Sequence, residues 1–217
     1  MMTNKKNNTI CNLQALQNRN DSFIELFREN PLMELIISEK MGDPDLRGAM
    51  LSAIQVFSDS FQKTVMLRHI FTETKDFMSI TQEHLEEEFN HNKILLSERP
   101  PTPQLWDPIL EATTSWFSMK MFSLNDEEKW VMMHMVLEAA ANEFFVKANK
   151  AIDANYFKTH SDADQKHSLM GIELIDGLSQ KIYAKLFHIQ QQGWDMLNAT
   201  CERIAYLSFK QQNNPSG

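Results

Sequence analysis

Residues 156–167 read Tyr156-Phe157-Lys158-Thr159-His160-Ser161-Asp162-Ala163-Asp164-Gln165-Lys166-His167. His160, Asp164 and His167 follow one another at offsets of four and three. On an α-helix these offsets set the three side chains on one face, within roughly 60°. Two imidazoles and a carboxylate on one stripe make half of a metal site. The other half must come from elsewhere in the chain.

The composition favours helices throughout. Six glycines and seven prolines in 217 residues leave few breakers, which suits long helices better than a β architecture. The length fits one sizeable domain. Fourteen Met and fourteen Phe predict an adaptable core with room for an irregular apolar pocket. A net charge of −8 opposes nonspecific nucleic-acid binding, so no nucleic acid is expected as a partner. Cys11 and Cys201 are too few and too far apart for a disulfide framework or zinc knuckle. Residues 1–20 are rich in Asn and Gln and lack the apolar stretch of a secretory signal. No run approaches the roughly 18 apolar residues of a membrane span. The expected location is the cytoplasm, with no membrane contact.

The expected organisation is a disordered polar tail over 1–20, a helical domain over 21–211 and a frayed tail over 212–217. Asp21 is placed to cap the first helix, and Asn30-Pro31 interrupts it. Asp43-Pro44 opens a long helix through about Thr72, with Met50, Ile54, Phe57, Phe61, Val65 and Ile70 inward. One helix is expected from Thr74 to about Ser97. Arg99-Pro100-Pro101-Thr102-Pro103 is the strongest break in the chain. Asp107-Pro108 and Asn125 open further helices, the opening stretch lies on one over about 154–176, and the last runs from Ser179 to Lys210. The fold class is all-α, a single bundle of about seven helices.

Three of these helices carry matching ligand types. Glu88 and His91 are three apart in a helix that also holds His84. An E-x2-H pair of this kind recurs in carboxylate-bridged dimetal bundles. Glu138 sits among Val136, Leu137, Ala139 and Ala140, where a carboxylate is costly to bury unless paired or metal-bound. His134 lies one turn earlier. The candidate metal ligands are therefore Glu88, His91, Glu138, His160, Asp164 and His167. Three carboxylates with three imidazoles suit iron, with manganese as the alternative, better than structural zinc. Set against this, a Glu-rich helix is most often a solvated face and Glu138 alone could pair with Lys or His134. His69 and His188 lack partners at ligand spacing and read as structural, as do Trp116, Trp130 and Trp194.

The segments His84–Asn92, Leu137-Glu138-x2-Ala141-x2-Phe144 and Tyr156-Phe157-x2-His160-x3-Asp164-x2-His167 resemble the heme-oxygenase-like diiron oxidases over roughly residues 22–210. That group is related to the TenA thiaminases and to PqqC, and it includes the chlamydial death-domain-associating protein and UndA. The resemblance implies a seven-helix, TenA/PqqC-like bundle around a nonheme dinuclear iron site. It implies Glu88 as the bridging carboxylate, His91, His160 and His167 as nitrogen ligands, and Asp164 and Glu138 as the remaining carboxylates. It also implies O2 and a small organic molecule as substrates, with two Fe(II) per chain. The family carries a further Glu on its early helix, whereas this chain has no Glu between residues 41 and 72 and only Asp59 in mid-helix. Thiaminase chemistry is disfavoured because no cysteine lies mid-chain.

The expected function is thus an iron-dependent oxidoreductase that activates O2. The alternative is a metal-free TenA/PqqC-like small-molecule-binding protein or cofactorless enzyme. An interaction protein is a third class that no residue specifically supports. Helix faces permit a homodimer, though no heptad seam is visible. Tyr156, one turn before His160, is either substrate-side or packed in the core.

Overall fold

A computed structural model describes residues 11–159 and 167–212. The described residues form helices and turns with no strand, as the scarcity of breakers implies. The described residues begin with α1 (Leu13–Phe27), capped by Asn12, whose side chain accepts the Ala15 N–H at 2.8 Å. The first helix therefore starts upstream of Asp21, inside the expected polar tail. Leu16 and Asn20 are buried, and Asn20 Oδ1 accepts from the Trp194 indole at 2.9 Å and from Gln190 at 3.1 Å. Apolar periodicity alone under-reads such a polar helix, because much of its inward contact is made by hydrogen bonds.

Next come α2 (Pro31–Ile36), a 3-10 turn (Glu39–Gly42) and α3 (Pro44–Ile70). Asn30 and Asp43 cap α2 and α3, and each helix begins with proline, which lacks the N–H that would otherwise be orphaned there. Then follow α4 (Lys75–Glu88), α5 (His91–Glu98), α6 (Pro108–Met121) and α7 (Asp126–Trp130). A π-helical segment (Val131–Glu138) runs without a break from α7 into α8 (Ala139–Ala151). Residues 155–159 form a further helical turn, His167 is helical, and a 3-10 turn (Ile172–Ile175) leads to α9 (Gln180–Gln212). The long helices α3 and α9 pack on each other, and α6 packs on both.

Two expected helices are divided. The one over 74–97 is broken at Phe89, which is extended, and Asn90, which is left-handed at φ 71°. Asn tolerates that conformation better than other side chains, a preference invisible to hydrophobic periodicity. The helix expected over 154–176 gives way by Gly171, which takes φ 77°; a Cβ there would lie 2.1 Å from Ile80 Cδ1. The seven-helix expectation differs from the observed division because of these two interruptions.

The core is rich in methionine, as composition predicts: Met33, Met50, Met121, Met132, Met133 and Met135 are all buried. Asp126 closes the turn before α4 by accepting from the Thr74 N–H at 2.8 Å and the Thr74 hydroxyl at 2.8 Å. Buried Lys129 donates to the Phe71 carbonyl and lies 3.3 Å from Asp126. This clamp ties the end of α3 to the start of α7. Among the largest fully buried side chains is one arginine, Arg68, near the end of α3.

Candidate metal centre

Four segments converge on Glu138. The π segment supplies His134 and Glu138, α4 supplies His84, Glu87 and Glu88, α5 begins at His91, and His167 comes from before the 3-10 turn at Ile172–Ile175. His84 Nε2 lies 2.9 Å from Glu138 Oε1. His167 Nδ1 lies 3.4 Å from Glu88 Oε1 and 3.6 Å from Glu138 Oε2, without hydrogen-bond geometry to either. The other nitrogen, His167 Nε2, is 2.6 Å from Glu87 Oε2. His91 Nδ1 is 3.1 Å from Glu88 Oε2 across the kink at Asn90.

Glu88, Glu138, His84, His134 and His167 are buried, while Glu86 and Glu87 are exposed. The register of α4 explains this: His84 and Glu88 are one turn apart on its inner face. The π segment holds His134 and Glu138 on the inner side of its rod, consistent with the concentration of π geometry at functional positions. Arg68 sits behind the cluster, 2.8 Å from His134 Nε2 and 3.4 Å from His84 Nδ1. His134 Nδ1 donates to the His167 carbonyl at 2.6 Å.

The electrostatics follow from burial and these contacts. Burial pushes the Glu138 carboxyl up, but His84 and His167 beside it pull it below the ordinary carboxylate range. Burial pushes His167 down, and the neighbouring Glu138, Glu87 and Glu88 more than offset it, raising the imidazole to about 9. Burial and then Arg68 drive His134 well below its ordinary value. Burial lowers Arg68 to about 9, with Glu138 and Asp126 opposing it.

A small cavity of about 40 Å³ adjoins the cluster. Glu88, His91 and Glu138 line it together with Phe57, Phe61, Leu137, Phe145 and Tyr156. It exceeds the roughly 10–15 Å³ that one water requires. The Tyr156 hydroxyl donates to Ser58 Oγ at 3.2 Å, so Tyr156 is both buried and a wall of this cavity.

Of the six ligands expected from sequence, the structure brings Glu88, His91, Glu138 and His167 together. His160 and Asp164 lie outside the described residues. Asp59, the only mid-helix acid of α3, accepts from Gln55 and Asn92 at 2.8 Å each and does not line the cavity. Arg68 and Glu87 were not anticipated. Arg68 carried a readable signal, because it continues the inward register of Ile54, Phe61 and Val65 at helical offsets.

His84, Glu88 and His167 each offer a donor atom, and these lie within 4.8 Å of one another. Nitrogen and carboxylate donors in a buried cluster fit a divalent first-row metal. The His167 nitrogen that faces two carboxylates without hydrogen-bond geometry is the specific sign that the residues suit such an ion.

The chain has a heme oxygenase-like fold. It superimposes on a domain of unknown function with that fold from Shewanella denitrificans (TM-score 0.73, 13% identity, 96% of this chain and 98% of that one). It also superimposes on a TenA homolog from Pseudomonas syringae (TM-score 0.71, 16% identity, 89% and 92%). No family model matches the chain. The chain belongs to the family of an uncharacterized Rickettsia prowazekii protein, RP592, with which it shares 34% identity over 193 residues, covering 87% of this chain and 92% of the relative. No helix among the described residues is long and apolar enough to cross a membrane.

Proposed function

We propose that this protein is an iron-dependent oxidoreductase that activates O2 at a nonheme dinuclear site to oxidise a small organic molecule. The observation that carries the reading is the meeting of His167 Nδ1 with Glu88 Oε1 at 3.4 Å and Glu138 Oε2 at 3.6 Å, all buried. Glu88, His91, Glu138 and His167 would hold metal, with His160 and Asp164 completing the set from the segment between Tyr156 and His167. Bound iron would supply the electrons that reduce O2, with manganese as the alternative metal.

The chain's own residues have definable tasks. The depressed Glu138 carboxyl offers an ionised donor at neutral pH. Glu87 holds His167 by its other nitrogen, which fixes the ring with Nδ1 toward the two carboxylates. The rings of Phe57, Phe61 and Phe145 keep the adjoining cavity apolar, which excludes bulk water from a reactive centre.

A metal-free small-molecule-binding protein of the same fold is the second reading. It is favoured by the His84–Glu138 and His167–Glu87 contacts, which already join the cluster as a polar network. Anaerobic loading with Fe(II), iron analysis and an optical spectrum before and after O2 separate the two. The expected result is about two irons per chain, as in other carboxylate-bridged dimetal bundles, with a transient visible band on oxygenation. Iron well below one per chain, or iron unaffected by His167→Ala, would overturn the proposal.

A further inference from the structure

The ring of His84 is committed at both nitrogens. A guanidinium has donors only, so any ring nitrogen that faces it must be the bare one. Arg68 Nη1 faces His84 Nδ1 at 3.4 Å, and the hydrogen of that ring then belongs on Nε2, which stands 2.9 Å from Glu138 Oε1. The same guanidinium faces His134 Nε2 at 2.8 Å, leaving the hydrogen on Nδ1, which meets the His167 carbonyl at 2.6 Å. Each ring is thus read independently from its two ends, and the two ends agree. Arg68 is itself 1% exposed, so bulk solvent does not reach these donors.

From this geometry we infer that Arg68 is a positioning residue: it fixes the tautomers of His84 and His134, so that His84 orients Glu138 and His134 anchors the backbone of His167. His84 is then not a metal ligand, although its distance to Glu88 and His167 admits it as one. The tautomer argument outweighs distance alone, because ligation would require His84 to give up either Arg68 or Glu138. The inference deepens the metal-centre proposal, and its first arm is independent of it. Burying an arginine behind a cluster of acceptors is costly unless each donor is used. Here the donors set, through His84 and His134, the orientation of one carboxylate and one imidazole of the candidate centre.

The test has two arms. Long-range proton–nitrogen correlation NMR on the metal-free, nitrogen-labelled protein reads the tautomers directly. The expected spectrum shows His84 protonated at Nε2 and His134 at Nδ1, with this bias weakened in Arg68→Met, where only Glu138 and the His167 carbonyl still favour it, and partly restored in Arg68→Lys. An undiminished bias in Arg68→Met would overturn the role of Arg68. A wild-type His84 protonated at Nδ1 would overturn the inference without bearing on metal binding. The second arm measures Fe(II) stoichiometry and affinity. His84→Gln keeps a donor toward Glu138 and an acceptor toward Arg68, so it should retain full stoichiometry with Kd within about tenfold of wild type, whereas His84→Ala should weaken Kd by about 10–100-fold. Loss of one iron equivalent in His84→Gln would make His84 a ligand and defeat the inference. If the wild type binds no iron yet shows the expected tautomers, the metal proposal fails and the positioning role of Arg68 stands. Should Arg68→Met fail to fold, Arg68→Lys carries the tautomer comparison and His84→Gln the metal arm.

Discussion

Gln62 Oε1 accepts the backbone N–H of Asn90 at 2.7 Å, and Asn90 is the only non-glycine residue of positive φ among those described. This bond spans from α3 to the kink between α4 and α5. The kink lies between Glu88 and His91, so their relation is set by a loop conformation rather than by helix pitch alone.

Asn90→Gly should therefore be close to neutral, since glycine adopts the same conformation without strain. Asn90→Ala should destabilise by about 1 kcal/mol, and Gln62→Leu by about 1–3 kcal/mol for the unanswered N–H. Thermal melts check these values. Equal stability of Asn90→Gly and Asn90→Ala would show that the left-handed conformation is not retained in solution.

Metal content separates the residues of the centre from their neighbour on α3. Glu88→Gln and His167→Ala should each weaken Fe(II) binding by at least about tenfold. Asp59→Asn should leave it unchanged, because Asp59 is engaged by Gln55 and Asn92. A drop in bound iron in Asp59→Asn would instead assign Asp59 the part of the early-helix carboxylate.

The pH dependence of the metal-free protein has a definite sign. His167 is raised from 6.5 to about 9, so its contribution to stability is fully present below about 6.5 and is lost as pH rises through about 9. His134 is depressed below 6.5, so stability also falls as pH drops from 6.5 toward its folded value. Glu138, lowered from 4.5, contributes above 4.5 and loses that contribution as pH falls further. Melting temperature should peak near neutrality and decline toward pH 9.5, and His167→Gln should flatten the alkaline limb. A wild-type melting temperature that still climbs at pH 9 would contradict the raised imidazole. Iron binding should run the other way, strengthening with pH as the His167 proton is displaced.

Gly171 and Gly177 provide a matched pair. Both have positive φ, 77° and 68°, but a Cβ at Gly171 would meet Ile80 at 2.1 Å while one at Gly177 meets nothing within 4 Å. Gly177→Ala should cost about 1–2 kcal/mol for backbone strain alone. Gly171→Ala should cost a further 1–3 kcal/mol, roughly, for overpacking. Equal losses in the two variants would show that Ile80 moves aside freely.

The legible part of this molecule was what repeats. Sparse Gly and Pro marked an all-α chain, Asn30, Asp43, Asp107 and Asn125 cap helices where the sequence places starts, and Ser179–Lys210 foretold α9 closely. Glu138 stood out because a carboxylate among apolar neighbours needs a partner, and Glu88 because His91 follows it three residues on. Features that depend on a single conformation were not legible. Asn90 looks like any polar helical residue until Gln62 is seen to hold it. Arg68 follows Leu67 and precedes His69, a sequence that reads as the basic end of a helix, and only its inward register hinted at burial. Asn20 was hidden in a polar stretch because its buried partners, Trp194 and Gln190, lie far along the chain.

The unbroken rod from Asp126 to Ala151 has a consequence for how this family can change in length. A π turn takes in about one residue more than an α turn closed by i→i+4 bonds. Val131–Glu138 therefore stores slack that an ordinary helix lacks. Deleting one residue within it would let the segment close to α geometry with the later side chains near their present register, whereas the same deletion in an α-helix would swing every later side chain by about 100° around the axis. Phe144 and Phe145 would then keep their sides toward Tyr156 and Phe157. Single-residue deletions should thus be tolerated among relatives between Trp130 and Ala139, as in the loop around Pro100–Pro103, and be absent from the α-helical part of the rod that follows.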